Sequence, residues 1–397
     1  MILVINSGSS SIKFGLYDSQ ASLSLIYNGE LSAIDGASQL TIVDADAIQI
    51  IDHALEIACH HQALIVIFQE IDNLVTDKAI QAVGHRVVHG GNDYVKATMI
   101  NDAIIADLEQ LVPLAELHQP HNLEAIKMIA TKWPDLPQIA CFDTAFHHTM
   151  PQLEQQIAID RAVLGEEIKR YGFHGLSYQS IADKLPHYLG EEAAEGRVIV
   201  AHLGGGASLC AMKGRHSIAT TMSFTPLDGL VMATRCGSLD PGVILYLLQQ
   251  KKMTVEQVAT SLNQHAGLKA LSGLSGDMQI LLNSKTDEAS AAIDYFVYQL
   301  CRHIGAMTAS LGGIDALVFT GGIGEHAAEI RQRVCEKSEW LGLKLNTTLN
   351  QQAQAQINAA ESEVSIWIIE TEEDQLIASQ SYQLLQTREV NMQGVSS

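Results

Sequence analysis

The chain has 397 residues, 47% of them hydrophobic and 17% charged, and a formal net charge of −21. That length suggests two or three domains with sizeable cores. The acidity, offset by no basic run, argues against a nucleic-acid or anionic-membrane surface.

The six cysteines are scattered without a C-x-x-C pair and read as reduced thiols of a cytoplasmic protein. No signal segment and no membrane span is expected. In "INSGSSSIKFGLYD", residues 2–6 and 11–17 read as two strands joined by a Ser/Gly turn. Ile12, Phe14 and Leu16 alternate there with Ser11, Lys13 and Gly15. A Gly/Ser loop built on a strand turns backbone N–H groups and hydroxyls towards an anion. "GHRVVHGG" then sets Arg86 and His89 near a strand, and "QIACF", 138–142, is a buried strand with Asp143 at its carboxyl end. "RYGFHGLS" puts His174 between two glycines, where its ring can be approached closely. The segment 198–214, "VIVAHLGGGASLCAMKG", repeats the strand–glycine-turn–strand pattern about half a chain after the first and suggests two similar lobes. "ATRCGSLDPG" carries Arg235 in a turn beside Asp240–Pro241.

Further on, Ile293, Phe296, Val297, Leu300, Ile304 and Met307 recur at helical spacing and predict a helix over 287–311. "DALVFT", 315–320, predicts a buried strand, "GGIGE", 321–325, a loop, and 326–337 a helix; α/β proteins place nucleotides at such a junction. The Ala/Gln-rich segment 352–363 predicts a polar surface helix. Strands alternate with helices, so the fold class is α/β.

Neither the phosphate-loop signature G-x-x-x-x-G-K-[ST] nor a dinucleotide G-x-G-x-x-G unit is present. Glycine turns instead occupy 7–11, 204–206, 236–242 and 321–324. Each alone reads as an ordinary turn; with their strand flanks they favour a nucleotide cleft between two lobes. Each arginine alone reads as a surface ion pair worth about 0–1 kcal/mol, and His174 as a satisfied interior histidine. His60–His61 and His147–His148 lack the i, i+4 spacing of a helical metal pair.

"VINSGSSSIKF", "GHRVVHGG", "CFDTAFHHTMP", "RYGFHGLSY", "HLGGGAS", "TPLDGLVMATR" and "FTGGIGEH" occur in the order found in the acetate kinase family and its acyl-kinase relatives. The resemblance runs nearly from end to end. It implies the duplicated two-lobe α/β fold of the actin, sugar-kinase and heat-shock (Hsp70-like) ATPases, ribonuclease H-like in each lobe. Residues 1–145 with 376–397 would form the N-terminal lobe and 146–375 the C-terminal, nucleotide-binding lobe. The implied reaction is reversible, ATP-dependent phosphorylation of acetate to acetyl phosphate by in-line transfer, with Mg2+ (or Mn2+) as the metal. A cytoplasmic homodimer is expected.

That chemistry needs positive charge rather than a base. A carboxylate of pKa about 4 is already ionised at neutral pH. Its approach to a polyphosphate is opposed by repulsion, where a unit charge pair at about 4 Å is worth about 4 kcal/mol at an effective dielectric near 20. By resemblance, Arg86 holds the carboxylate and phosphoryl groups, while Arg235 and His174 stabilise the phosphoryl in flight. Asp143 would act through metal or water, or by aligning an arginine. Asn6, Ser9, Ser11 and Lys13 match the first phosphate loop, with Asn6 and Glu373 at the positions that hold Mg2+. His202, Leu203, Gly204, Gly205 and Gly206 match the second phosphate loop. Asp277, Met278 and Gln279, with Gly321, Gly322, Ile323, Gly324 and Glu325, match the adenosine side. Val88, Leu117, Phe173 and Pro226 match the acyl pocket, beside His118; ordinary packing explains apolar residues equally well.

Three positions depart from the family pattern: Gly205 stands where Asn is common, Ser238 where Asp is usual, and Gln279 where Arg is usual. Propionate kinase is the nearest rival reading, since one methylene changes discrimination by only about 1–3 kcal/mol. A non-catalytic nucleotide-binding switch on the same fold would share the glycine turns, and a paralogue weakened by the three departures would share the whole pattern.

Overall fold

The computed structural model describes the chain except residues 9, 21, 35, 76–78, 166–167 and 395–397, and its side chains through residue 388. Ser9, expected in the first phosphate loop, lies outside the described residues. Two compact units are present: Met1–Ala145 with Glu372–Ser397, and Phe146–Thr371.

The first unit contains β1 (Ile2–Ser7), β2 (Ile12–Tyr17), β3 (Leu25–Ser32), β4 (Ala37–Asp44), β5 (Gln49–Glu56), β6 (Ala82–Val87), β7 (Thr98–Met99) and β8 (Gln138–Phe142). They form one sheet in the order β5-β4-β3-β2-β1-β6-β8-β7. The first five strands are an antiparallel meander, and β6 runs parallel to both β1 and β8. Ile2, Leu3, Val4 and Ile5 are all buried, as a strand covered on both faces requires. Helix His60–Leu74 puts Ala63, Leu64, Ile67, Phe68 and Ile71 on one stripe against this sheet, joined by Ala125 and Ile129 of helix Gln119–Lys132. The terminal helix Glu373–Gly394 packs on β1 and β6. Gly84 of β6 is the point of closest approach; a Cβ there would overlap Ser381 Oγ and Ile377 Cγ2. This docking places the return between units at 371/372, ahead of the expected 375/376, and puts Glu373 in the first unit.

The second unit holds β9 (Arg197–Leu203), β10 (Ala207–Lys213), β11 (His216–Thr220), β12 (Ala316–Thr320) and β13 (Ser365–Ile368), in the order β11-β10-β9-β12-β13. β10 is antiparallel to both neighbours, and β12 is parallel to both of its own. The run β3-β2-β1-β6-β8 of the first sheet has the same sequence of antiparallel and parallel pairings. The repeat glimpsed in the two glycine turns is therefore a repeat of topology. Helix Gly175–Leu189 packs Tyr178, Ile181 and Leu185 against Val198, Val200, Cys210 and Met212.

The helix predicted over 287–311 is Asp287–Leu311. Thr286 caps its start, and Gly312 (φ 70°) ends it in the left-handed conformation. Two local expectations are corrected. Residues 321–325 are not a loop but the bulk of a short helix, Gly321–His326. Glu325 accepts the Gly321 N–H at 2.7 Å and so satisfies a first-turn donor from inside the helix. Segment 352–363 is not a helix. Ile357 is buried and exchanges backbone hydrogen bonds with Asn346 and Ile366, and bridges join Leu345 to Asn358 and Gln356 to Trp367. One buried isoleucine with ladder partners outweighs the helix propensity of the Ala and Gln around it.

Candidate functional site

In the first unit the strand ends converge on Arg86. Its Nε donates to both Asp143 oxygens at 3.1 Å, Nη2 donates to Asp143 Oδ2 at 2.6 Å, and Nη1 donates to Asn6 Oδ1 at 3.1 Å. Glu373 Oε2 lies 4.0 Å from Nε. The sheet dictates this meeting. Asn6 lies near the end of β1 and Arg86 near the end of β6, while Asp143 follows β8 and continues its ladder by donating its N–H to Val87 O. Burial opposes the guanidinium charge, but Asp143, Glu373 and Asp374 together hold Arg86 above the ordinary arginine range.

Asp374 joins this cluster and was not anticipated, although the run "ETEED" supplies it directly after Glu373. Burial, then the neighbouring Glu373 charge, push its carboxyl up to about 6 against the opposing pull of Lys13, Arg86 and Asn6. Its Oδ1 is buried without a hydrogen-bond partner. Asn6, Glu373 and Asp374 are hard oxygen donors, and a buried carboxylate oxygen lacking a proton donor fits a divalent cation such as Mg2+.

The first phosphate loop is held from behind. Asn122 accepts the Val88 N–H at 3.0 Å and donates to Ser7 O at 2.9 Å, so one amide ties the strand end after Arg86 to the loop. Gln119 brackets His89 in the same way, and a ring nitrogen of His60, Nε2, lies 2.7 Å from Gly8 O. Gly8 N–H donates to Ser11 O, and Lys13 stands opposite Asn6 in the β1–β2 register. Val88 is buried, Leu117 is 40% exposed, and His118 occupies the N-cap of helix Gln119–Lys132. A groove of about 890 Å³ between this helix and His60–Leu74 is the larger of the two cavities described, yet none of the expected residues lines it.

The second unit gathers His174, His202, Gly206 and Arg235. His174 sits at φ 58°, a left-handed position unusual for a residue with a side chain, at the N-cap position of helix Gly175–Leu189. Its ring stacks on His202 with centroids 4.3 Å apart, and its Nδ1 lies 2.9 Å from Ser208 Oγ. A Cβ placed on Gly206 would lie 2.7 Å from Arg235 Nη2 and 3.3 Å from His174 Nε2, so the guanidinium and the imidazole edge share one side of the glycine turn. Arg235 Nη1 donates to Pro226 O at 2.8 Å. The loop bearing Arg235 is cradled by Gly267 (φ 64°), where a Cβ would collide with Met232 O and Arg235 O. Phe173 is buried, and its carbonyl lies 2.9 Å from His147 Nε2. Burial, outweighing that hydrogen bond, pulls His147 down to about 4.

Gly204 and Gly205 line a cavity of about 620 Å³ together with Asp277, Met278, Gln279, Gly322, Ile323 and His326. That volume is in the range of small-ligand pockets, about 300–1,000 Å³. Asp277 caps helix Met278–Asn283 by accepting the N–H groups of Gln279 and Ile280. Leu203, Gly321 and Gly324 stand behind the cavity wall as packing: a Cβ on Gly321 (φ 75°) would lie 2.8 Å from Leu203 O. Arg331, fully buried, donates to Gly324 O, Glu325 O and the side chain and carbonyl of Asn350. Sequence reading did not find it, because an arginine in a helical stretch gives no sign of being inside. Glu325 accepts from Thr320 Oγ1 and Gly321 N–H, which ties its carboxylate to its own helix. Among the described residues, no three His, Cys, Asp or Glu side chains form a metal cluster.

The family profile described as the acetokinase family matches residues 1–379. An acetate kinase of Rhodopseudomonas palustris (strain ATCC BAA-98 / CGA009) is 47% identical over 390 residues, spanning 97% of this chain and 98% of that protein. An acetate kinase of Rickettsia typhi is 37% identical over 389 residues, spanning 97% and 99%. Among solved structures, a propionate kinase from Francisella tularensis superposes with a TM-score of 0.89 at 33% identity, covering 96% of this chain and 99% of that one. The acetate kinase of Porphyromonas gingivalis gives 0.85 at 30% identity, covering 97% and 99%. The α/β class expected from the sequence is borne out, and the fold is the two-lobe, actin-like ATPase fold of these kinases.

Proposed function

The chain belongs to the acetokinase family, and from that premise we propose how its residues carry out the ATP-dependent phosphorylation of acetate to acetyl phosphate. The observation that carries the proposal is the second glycine turn. Gly204 and Gly205 face a nucleotide-sized cavity, while Gly206 faces Arg235 and His174. A triphosphate whose nucleoside fills the cavity would run its terminal phosphoryl along backbone N–H groups towards a cation and an imidazole. Both are placed to stabilise charge that develops during transfer.

Arg86 binds acetate and the transferred group, and Asp143 is its aligning partner rather than a base. The hydrogen bonds from Arg86 to both Asp143 oxygens support that role. Asn6, Glu373 and Asp374 would hold Mg2+, which when bound would neutralise phosphate charge. Val88, with Leu117 and His118, on the first unit, and Phe173 and Pro226 on the second, are the residues we assign to the acyl group. The enzyme is a cytoplasmic homodimer in this reading. Its six cysteines, all free, support a reducing compartment. Helix Pro241–Gln249 supports the dimer: it buries no residue and exposes Val243, Leu245 and Tyr246. Leu245→Glu is expected to halve the mass measured by light scattering.

The decisive experiment is a substrate panel. ATP, Mg2+ and acetate, propionate or butyrate are assayed by hydroxamate trapping of the acyl phosphate, and ADP with acetyl phosphate is assayed in reverse. The highest kcat/KM is expected for acetate. A higher value for propionate would reassign the substrate, and no acyl phosphate with any acid would leave a nucleotide-binding switch.

A further inference from the structure

His174 is held by a chain of hydroxyl groups that none of its expected roles requires. His174 is the N-cap residue of helix Gly175–Leu189, and one turn later Ser177 and Tyr178 return to the sheet. Tyr178 Oη lies 2.5 Å from Ser208 Oγ, and Ser208 Oγ lies 2.9 Å from His174 Nδ1. Ser177 Oγ lies 2.8 Å from His202 Nδ1. His202 and Ser208 are direct partners across the β9–β10 ladder, so His174 rests on two adjacent strands at once, stacked on one residue and hydrogen-bonded to the other. Tyr178, Ser177 and Ser208 are completely buried.

We propose that Tyr178 and Ser208 act as positioning residues that fix His174 as the neutral tautomer with its proton on Nε2. The inference rests on the reading of His174 as the imidazole that faces the transferred phosphoryl. A phenol is far more acidic than an aliphatic hydroxyl and is therefore the better donor. Tyr178 donates to Ser208 Oγ, and Ser208 donates its single proton to His174 Nδ1. Successive bonds in such a chain polarise one another in the same direction. An Nδ1 that accepts leaves the proton on Nε2. Nε2 is the edge that shares the Gly206 side with Arg235. His174 then presents a hydrogen-bond donor to a phosphoryl oxygen without carrying a second full positive charge beside Arg235.

The opposite tautomer would turn a lone pair towards an anionic phosphoryl, which repels it. The chain thus determines whether the imidazole helps or hinders. It does so from inside the hydrophobic core, through residues that never meet substrate.

The test uses the full-length protein labelled with 15N-histidine. His174 is assigned by loss of its signals in His174→Gln, and its tautomer is read from two-bond 1H–15N correlations. The wild type is expected to show the Nε2–H pattern. Tyr178→Phe keeps the ring and removes the donor. It should give a mixed pattern and lower kcat about 10- to 100-fold, the scale seen when the partner that orients a metal-ligating imidazole is removed. KM for acetate and ATP should change little. Ser208→Ala should do the same more severely. An Nδ1–H or doubly protonated pattern in the wild type overturns the proposal, as does a folded Tyr178→Phe with unchanged spectrum and kcat. If Tyr178→Phe does not fold, the wild-type spectrum and Ser208→Ala decide. A His174→Gln enzyme of full activity would instead refute the site reading, whatever the tautomer.

Discussion

Asp143 occupies Arg86 with both of its carboxylate oxygens, at 3.1 Å from Nε and 2.6 Å from Nη2, and its side chain is only 2% exposed. In the proposed reading this carboxylate orients the guanidinium rather than taking a proton, and acetate brings none at neutral pH. Asp143→Asn keeps the volume but removes the charge and one acceptor. We expect kcat/KM for acetate to fall about 10²- to 10³-fold, the scale of losing a preorganised group at a site of developing charge. The shape of the pH–kcat profile should survive, because no base has been removed. A lost pH limb, restored by added small bases, would show instead that Asp143 takes a proton.

The charge cluster was half legible in the sequence, for a physical reason. Asn6, Arg86 and Asp143 each stand at or next to the end of an apolar strand, and parallel strands bring such ends together. Asp374 was missed because one acidic residue in "ETEED" looks like another until burial separates them. The cage of Ser177, Tyr178 and Ser208 left no trace: small polar residues in a helix start and a strand carry no periodic signal. The two corrected segments fail for opposite reasons. At 321–325 glycines read as a loop because their propensity is poor, yet Glu325 and Arg331 satisfy both ends of that short helix. At 352–363 good helix formers lose to the single buried Ile357.

Two buried histidines give the fold an acid limit. His85 Nε2 donates to Gln138 Oε1 at 2.8 Å, and His147 lies between Ser217 and the Phe173 carbonyl. Burial, against those hydrogen bonds, lowers each to about 4 from an ordinary 6.5. Below pH 6.5 the unfolded chain binds protons that the folded one refuses. Stability is therefore complete above about 6.5 and falls as pH drops towards 4, by up to about 3 kcal/mol for each histidine. The melting temperature should decline over that window. His85→Gln should flatten the decline, as seen by following unfolding from pH 7.5 to 4.5. An unchanged slope in the variant would mean that His85 titrates normally in the fold.

Gln279 lines the cavity assigned to the nucleotide, at a position where the resemblance to the family leads us to expect arginine. An amide can hydrogen-bond a phosphate or ribose oxygen but adds no charge. A guanidinium adds to such a hydrogen bond a Coulombic attraction and a bidentate geometry that an amide lacks. Gln279→Arg should therefore lower KM for ATP several-fold and leave KM for acetate alone. Initial-rate kinetics with each substrate varied will show this. An unchanged KM for ATP would place residue 279 out of reach of the nucleotide.

Substitutions in the glycine turn separate function from stability. Gly205 has open space where a Cβ would stand, whereas a Cβ on Gly206 would lie 2.7 Å from Arg235 Nη2 and 3.3 Å from His174 Nε2. Neither glycine has a positive φ, so alanine strains the backbone at neither. At 206 the new methyl meets the far end of the Arg235 side chain, which can shift at little cost to the fold. It moves, however, away from the place where a cation is wanted, and small misplacements of a catalytic group can cost about 10²-fold in rate. Gly206→Ala should accordingly melt near the wild type yet lose about 10²-fold in kcat in both directions. Gly205→Ala, and Gly205→Asn with the residue common in the family, should retain activity. Equal kcat for the 205 and 206 variants would mean that Arg235 and His174 need not stand where they do.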